Sequence, residues 1–298
     1  MEKYRDCMGF IDLDQVNMEN VTYFRNNKKI FSFLYDGKKY FFKEAKLVEQ
    51  IYNELIAALI AKQYGINCAL YDLAVSYGQV GVISESFLEE KDEYLSMEAI
   101  LRNYFRESKV NNHNNLEDIW LALDYYFDHD DKIVDRIMEQ VLDTFLFDVL
   151  IGNIDRHGEN MGVIKRKNQY FLAPLFDNEL MLEDSCIYEG IYVLGIDSSD
   201  YFQYMKGYSE TVNFLDKFLS FAGDSYLDKI QSKISLISEE NIKNIFTEIE
   251  VRLNIKINVF IRNKILDKFN INKKMILDTL QRHTRLKLIK KVKYVDAN

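Results

Sequence analysis

Proline occurs once in the 298 residues, at Pro174, and tryptophan is equally rare. Tight turns must therefore be built from Asn, Asp and Gly rather than from proline. Glycine is also sparse, at 12 residues, and no glycine-rich phosphate loop is present, which argues against a Walker-type NTPase. The three cysteines, Cys7, Cys68 and Cys186, lie too far apart for a metal or redox spacing. Free thiols in a reducing compartment fit that usage, so a cytoplasmic location is expected; export as an effector without a signal would leave no mark. No basic-then-apolar leader is seen, and no apolar run approaches the roughly 18 residues of a membrane span, so none is expected. Positive charge is in the minority, with 38 Lys and Arg against 47 Asp and Glu. The net charge of −9 speaks against a nucleic-acid-coating role, and no direct nucleic-acid binding is expected.

The exception is the C-terminal stretch, where Arg282, Arg285, Lys287, Lys290, Lys291 and Lys293 precede Asp296. Such a run is either a solvated helix face or a dock for an acidic partner. What the chain does have in quantity is apolar and aromatic side chains, 48% hydrophobic with 20 Tyr and 20 Phe, enough for one large core or two modest lobes.

The first ~90 residues read as strands with one helix. Ile30–Tyr35 and Lys38–Lys43 flank Asp36-Gly37, a two-residue hairpin signal. Lys28 and Lys29, in a polar turn just before, are either exposed turn residues or able to reach phosphates. A helix is expected from about Glu44 to Tyr64, ended by Gly65. Glu54 falls among its apolar positions, so its carboxylate needs a partner, and Lys43 at the end of the preceding strand is the nearest in sequence. A strand lysine paired with a helix glutamate positions phosphates in kinases, although any surface ion pair shares that pattern. Strands at 69–75 and 79–83 follow. The texture turns acidic at Glu89, making 84–92 a candidate hinge whose backbone would read an adenine edge, with Glu85, Ser86 and Phe87 at its start.

From about residue 93 the sequence is mainly helical, with helices expected at 95–105, 116–126, 131–150, 209–222, 224–237, 239–269 and 272–293. The 131–150 segment has the widest apolar face. Asp128-His129-Asp130-Asp131 lacks the glycine and spacing of a calcium loop, and acids are favoured at a helix start.

That central helix runs into Gly152-Asn153-Ile154-Asp155-Arg156-His157-Gly158-Glu159-Asn160. A short hairpin then leads to Pro174-Leu175-Phe176-Asp177. The hairpin starts at Asn160 and ends just before Asp177, so the two side chains can converge. One amide oxygen and one carboxylate suit Mg²⁺, which completes its shell with water and phosphate oxygens. Asp155, on the same loop, is placed to accept a proton from an attacking hydroxyl.

These residues resemble the HipA-like serine/threonine kinases, which share an Asp-Arg-His-x-x-Asn catalytic loop with phosphatidylinositol-3-kinase-like enzymes. The histidine after the aspartate, His157, distinguishes this loop from that of ordinary protein kinases. The resemblance runs loosely from residue ~20 to ~270, through Tyr40–Lys43 and Asn53–Ala57. It implies an α+β, two-lobed protein-kinase-like fold, with a small β-rich N-lobe carrying one helix and a larger, mainly helical C-lobe. The lobes would be 1–88, with the hinge near 84–92, and 93–298, with a catalytic loop at 150–160 and a metal-binding segment at 174–178. It further implies ATP and Mg²⁺ as cofactors, Asp155 as base, His157 supporting the loop or the γ-phosphate, Asn160 and Asp177 as metal ligands, and Lys43 on the phosphates. The chain begins almost at the ATP-binding lobe, as expected of a short, stand-alone form. The expected activity is serine/threonine protein kinase, with autophosphorylation in the Ser185–Ser199 region or near Ser32. The alternatives are a pseudokinase or binding module of the same fold, and a small-molecule or lipid kinase using the same loop. The stretch from Glu179 to about Ser209 holds hydroxyls among acids and no basic cluster. A lipid phosphate would want Lys or Arg there, so a protein Ser/Thr acceptor is favoured.

Overall fold

Three two-residue turns set the strand registers, and each places both of its residues at positive φ: Asp36-Gly37 (52° and 70°), Tyr77-Gly78 (48° and 74°) and Lys167-Asn168 (49° and 64°). Such turns match the right-handed twist of the flanking strands. The computed structural model describes residues 1–6, 9–24, 29–46, 48–108, 116–153, 156–179, 181 and 208–295, with backbone alone at 48–50, 208–214, 224–225 and 286–295. The turns join β3 (Ile30–Tyr35) to β4 (Lys38–Glu44), β5 (Tyr71–Ser76) to β6 (Gln79–Glu85), and β8 (Gly162–Arg166) to β9 (Gln169–Leu172). With β1 (Ile11–Asp12) and β2 (Glu19–Tyr23), the first four form a six-stranded sheet of order β1-β5-β6-β4-β3-β2.

One face of this sheet closes over its own small core, in which Phe31 and Phe42 lie with ring centroids 5.0 Å apart. The other face takes α1 (Val48–Tyr64), the helix expected there. Its buried positions, Ile51, Leu55, Ile56, Ile60, Ala61 and Tyr64, go nearly all the way round, so α1 is also covered from the far side. That cover comes from α4 (Asp131–Ile151), α6 (Asp224–Leu236) and α7 (Glu239–Leu253). Tyr64 meets Phe147 of α4 at 5.7 Å, and α1 and the helical half share one hydrophobic core.

The helical half also contains α2 (Met97–Ser108), α3 (Leu116–Tyr126), α5 (Tyr208–Ala222) and α8 (Val259–Val295). The result is a mixed α+β architecture, sheet-rich first and helical second. Two expectations are corrected. A helix was expected from Leu95, but Glu93–Ser96 forms β7, paired antiparallel with β8 from Glu93↔Lys165 to Ser96↔Gly162. Only then does α2 begin, with the Ser96 hydroxyl accepting from Ala99 N–H (3.2 Å). The helices expected at 239–269 and 272–293 are instead divided at 254–258. Asn254 adopts a left-handed φ of 51°, and the Glu250 carboxylate accepts from Ile257 N–H (2.8 Å) and Lys256 Nζ (3.2 Å). The acidic cluster before α4 is a helix start: Asp130 accepts from Lys132 N–H (3.1 Å) and Ile133 N–H (3.3 Å). At the C-terminus, the basic Arg282 pairs with Asp216 of α5. No helix among the described residues is long and apolar enough to cross a membrane.

Candidate active site

Lys43 leaves β4 on the face toward the helical half, where its ammonium pairs with Asp177 and with Glu179 (2.9 Å). Burial works against that charge, but attraction from Asp177, Glu179 and Glu54 more than offsets it, and the lysine pKa rises. The expected Lys43–Glu54 ion pair is not formed: among the described residues, the acids within 4 Å of Lys43 are Asp177 and Glu179. Glu54 is 1% exposed and turned instead to the 177–179 segment, where Oε2 accepts from Asn178 N–H (2.9 Å). Its Oε1 is buried without a hydrogen-bond partner. Burial first, then repulsion from Asp177, push the Glu54 carboxyl up to about 8. The neighbouring Asn53 donates to Glu179 O and Met181 O, both at 2.8 Å. One turn of α1 therefore carries much of the polypeptide around Asp177.

Asp177 itself has a φ of 61°, and its N–H is held by the Tyr71 hydroxyl (3.2 Å). From the other side, the loop after α4 is fixed by Arg156, the largest fully buried side chain among the described residues. Its guanidinium is bidentate to Asp148 of α4 and also reaches Asn160 O, Phe176 O and Asn178 Oδ1. Half-buried His157 accepts Glu159 N–H on Nδ1 (3.2 Å), so that nitrogen carries no proton. Burial lowers its pKa, against the pull of Asp177, and both features keep the ring neutral near pH 7. Gly158 is required where it stands, because a Cβ there would lie 2.8 Å from the Glu98 backbone of α2.

A cavity of about 520 Å³ opens between the sheet and the helical half. Lys43, Glu54 and Asp177 line one part, and Glu85, Ser86 and Phe87 another, with apolar walls that include Val82 and Phe176. Ser86 N–H bonds to Lys39 O (2.8 Å), and β6 pairs with β5 only as far as Ser84. Antiparallel alternation then turns the Glu85 backbone groups away from β4, past the end of β5. The connection from there to β7 is clamped by Arg166, which binds Phe87 O (3.1 Å), Asp92 and Glu89.

Of the residues singled out from the sequence, Lys43, Glu54, Glu85, Ser86, Phe87 and Asp177 line one cavity. Asn160 reaches the same neighbourhood through Arg156. The expected base Asp155, Lys28 and the acceptor segment Ser185–Ser199 lie outside the described residues. Ser32, the other suggested phosphorylation point, is 2% exposed within β3, so its hydroxyl could accept phosphate only if the sheet opened. Sequence reasoning gave no individual role to Asn53, Asp148, Arg156, Asn178 or Glu179. Asn53 and Arg156 stood in the stretches that carry the resemblance, Asn178 in the expected metal-binding segment and Glu179 at the start of the expected acceptor stretch, whereas Asp148 carried no signal.

The chemistry of the donor set fits the groups that the motif implies. The cavity has the volume of a small-ligand site with a few convergent polar groups. Among the described residues no cluster of three His, Cys, Asp or Glu could form a metal cage. An Asn–Asp oxygen pair is the kind of partial shell that Mg²⁺ accepts beside phosphate.

The fold and the loop define a class, and comparison with known proteins gives it a name. A family model for the HipA-like C-terminal domain matches residues 28–250, and the chain belongs to that family. It is 24% identical over 174 residues to the serine/threonine-protein kinase CtkA of Helicobacter pylori. That match takes in 58% of this chain and spans about half, 51%, of the relative's length. Among solved structures, the fold resembles the Helicobacter pylori proinflammatory kinase CtkA with a TM-score of 0.66 at 18% identity, covering 93% of this chain and 97% of that one. It also resembles HipA in the Shewanella oneidensis MR-1 toxin–antitoxin complex with HipB and operator DNA. There the TM-score is 0.52 at 18% identity, with 90% of this chain and 63% of the other covered.

Proposed function

We propose that the chain is an ATP- and Mg²⁺-dependent serine/threonine protein kinase of HipA-like type, with Asp155 as the catalytic base. The observation that carries this reading is one cavity lined both by Lys43 with Asp177 and by the Glu85–Phe87 strand end. A family relative named as a serine/threonine kinase supports it. In this reading the lobes meet at 84–92, with 1–88 on one side and 93–298 on the other. The Glu85 and Phe87 backbone orients the base of the nucleotide, and Lys43 exchanges its carboxylate partners for phosphate oxygens. Asn160 and Asp177 hold Mg²⁺, which when bound neutralises charge on the phosphates. Asp155 takes the proton of the acceptor hydroxyl, and neutral His157 braces the loop. The acceptor is a protein serine or threonine, and residues of this chain itself are included.

Incubation with Mg-ATP followed by phosphosite mass spectrometry tests the reading. Phosphoserine or phosphothreonine on the wild type and none on Asp155→Ala is the expected result. No phosphate on the chain or on any added protein acceptor would count against it. Pairing of Lys43 with Asp177 and Glu179 rather than Glu54 favours a second reading, a pseudokinase that binds nucleotide without turnover. Nucleotide binding with no phosphate transfer would select it.

A further inference from the structure

Arg156 has five N–H donors, and all five are used. Nε and Nη2 bind the two oxygens of Asp148 at 3.0 Å each. Nη2 also donates to Asn178 Oδ1 (2.6 Å), and Nη1 donates to Asn160 O (3.0 Å) and Phe176 O (2.9 Å). The side chain is 0% exposed and Asp148 6%, so none of these bonds competes with bulk water. Asp148 is fixed in turn: Oδ1 accepts from Asn153 Nδ2 (2.9 Å), and its carbonyl accepts from Asn153 N–H (2.9 Å).

The acceptors come from three separate pieces of chain. Asp148 belongs to the last turn of α4, Asn160 ends the loop that follows, and Phe176 and Asn178 flank Asp177 across the β8–β9 hairpin. A single nitrogen, Nη1, spans the carbonyls of Asn160 and Phe176. Of the two residues assigned to the metal, Asn160 is thus bonded by Nη1 itself, and Asp177 directly follows Phe176, the other residue that Nη1 bonds. Guanidinium is planar and always charged, with donors in a fixed fork. Lysine offers three donors on a single atom and cannot satisfy five acceptor directions in a plane.

We propose that Arg156 is the positioning residue that sets the distance between the Asn160 and Asp177 side chains, and so builds the metal-binding pair of this kinase. The inference rests on the kinase reading above. Arg156 touches neither nucleotide nor acceptor; it acts through the two backbone carbonyls and Asn178. A small displacement at such a pair costs on the order of 10²-fold in rate, because the reacting geometry is lost rather than the fold.

Two variants test this. Arg156→Lys keeps the positive charge beside Asp148 but loses the fork. The double variant Arg156→Met with Asp148→Leu removes both charges, so no carboxylate is left buried alone. Thermal melting reports the fold, and Mn²⁺ binding in the presence of ADP, read by electron paramagnetic resonance, reports the metal pair. Nucleotide affinity without metal is measured alongside. The expectation is a cooperative melt for at least one variant, metal affinity down at least ~10-fold, metal-free ADP affinity within about threefold of wild type, and kcat down on the order of 10²-fold. A folded variant with wild-type Mn²⁺ affinity would overturn the proposal and leave the kinase reading intact. If neither variant folds, Asn178→Leu, which removes one acceptor and keeps the Arg156–Asp148 pair, must weaken Mn²⁺ binding; unchanged affinity there would equally overturn it. If the wild type itself binds neither ADP nor Mn²⁺·ADP, the kinase reading is what fails.

Discussion

At the scale of single residues, the site is organised by an imbalance of charge. Glu54, Asp177 and Glu179 surround one ammonium, Lys43, and Glu54 has a buried oxygen with no hydrogen-bond partner. Its carboxyl is raised from the ordinary 4.5 to about 8 by burial and by Asp177. The folded protein therefore binds more protons than the unfolded chain between those values, and its stability falls as pH rises through that window. In Mg²⁺-free buffer the melting temperature of the wild type is expected to drop from pH 5 to pH 8 more steeply than that of Glu54→Gln; parallel curves would show that Glu54 is already ionised at low pH. Glu179 pairs with Lys43, so in the proposed site it would compete with phosphate for that ammonium. Calorimetric titration of Glu179→Gln with ATP is expected to show about threefold tighter binding, the scale of one partly exposed ion pair. Lys43, Glu54 and Asp177 were legible in the sequence because each stood in a pattern: strand end, apolar helix face, end of a hairpin. Their pairing was not. Which carboxylate meets Lys43 depends on Asn53 and Glu54 gripping the backbone of Asn178, Glu179 and Met181, contacts that each span more than 120 residues.

Among the elements, local chemistry was read correctly where it is self-contained. Asp36-Gly37 gave its hairpin, and the apolar face of 131–150 gave the buried helix α4. It was misread where the deciding partner is remote. The helix expected from Leu95 starts two residues later, because the ladder with Gly162–Lys165 draws Glu93–Ser96 into a strand. The break after α7 depends on Glu250 folding back onto Ile257, Lys256 and Arg262, with no glycine or proline to announce it. Gly158 shows how tightly one element constrains another: its carbonyl accepts from Glu98 N–H (3.0 Å), and no side chain fits there. Gly158→Ala is expected to destabilise the fold by about 1–3 kcal/mol through overpacking against α2. It should also lower phosphate transfer more than nucleotide affinity, because the loop that shifts carries Asp155 and Asn160. Steady-state kinetics beside chemical denaturation would separate the two effects.

For the molecule as a whole, the sheet-rich part and the helical part are less separate than the two-lobed pattern implied. Helix α1 lies within residues 1–88, yet its apolar surface is continuous with α4, α6 and α7, and Tyr64 sits against Phe147. One cooperative unfolding transition is expected, not two. Phe147→Ala is expected to lower the stability of both parts together by about 3–5 kcal/mol, which calorimetry reads as a single shifted peak. A split peak would mean that the parts fold independently. The same continuity ties the chemistry to the fold, because α1 holds the segment bearing Asp177 while α4 holds Arg156. In the proposed reaction this joint arrangement transfers phosphate with Asp155 as base. Its most direct test is the initial rate of γ-phosphate transfer from Mg-ATP to protein, wild type against Asp155→Ala, at matched nucleotide occupancy. A fall of about 10²–10⁴-fold with nucleotide binding retained is expected; equal rates from the two proteins would mean that Asp155 is not the base.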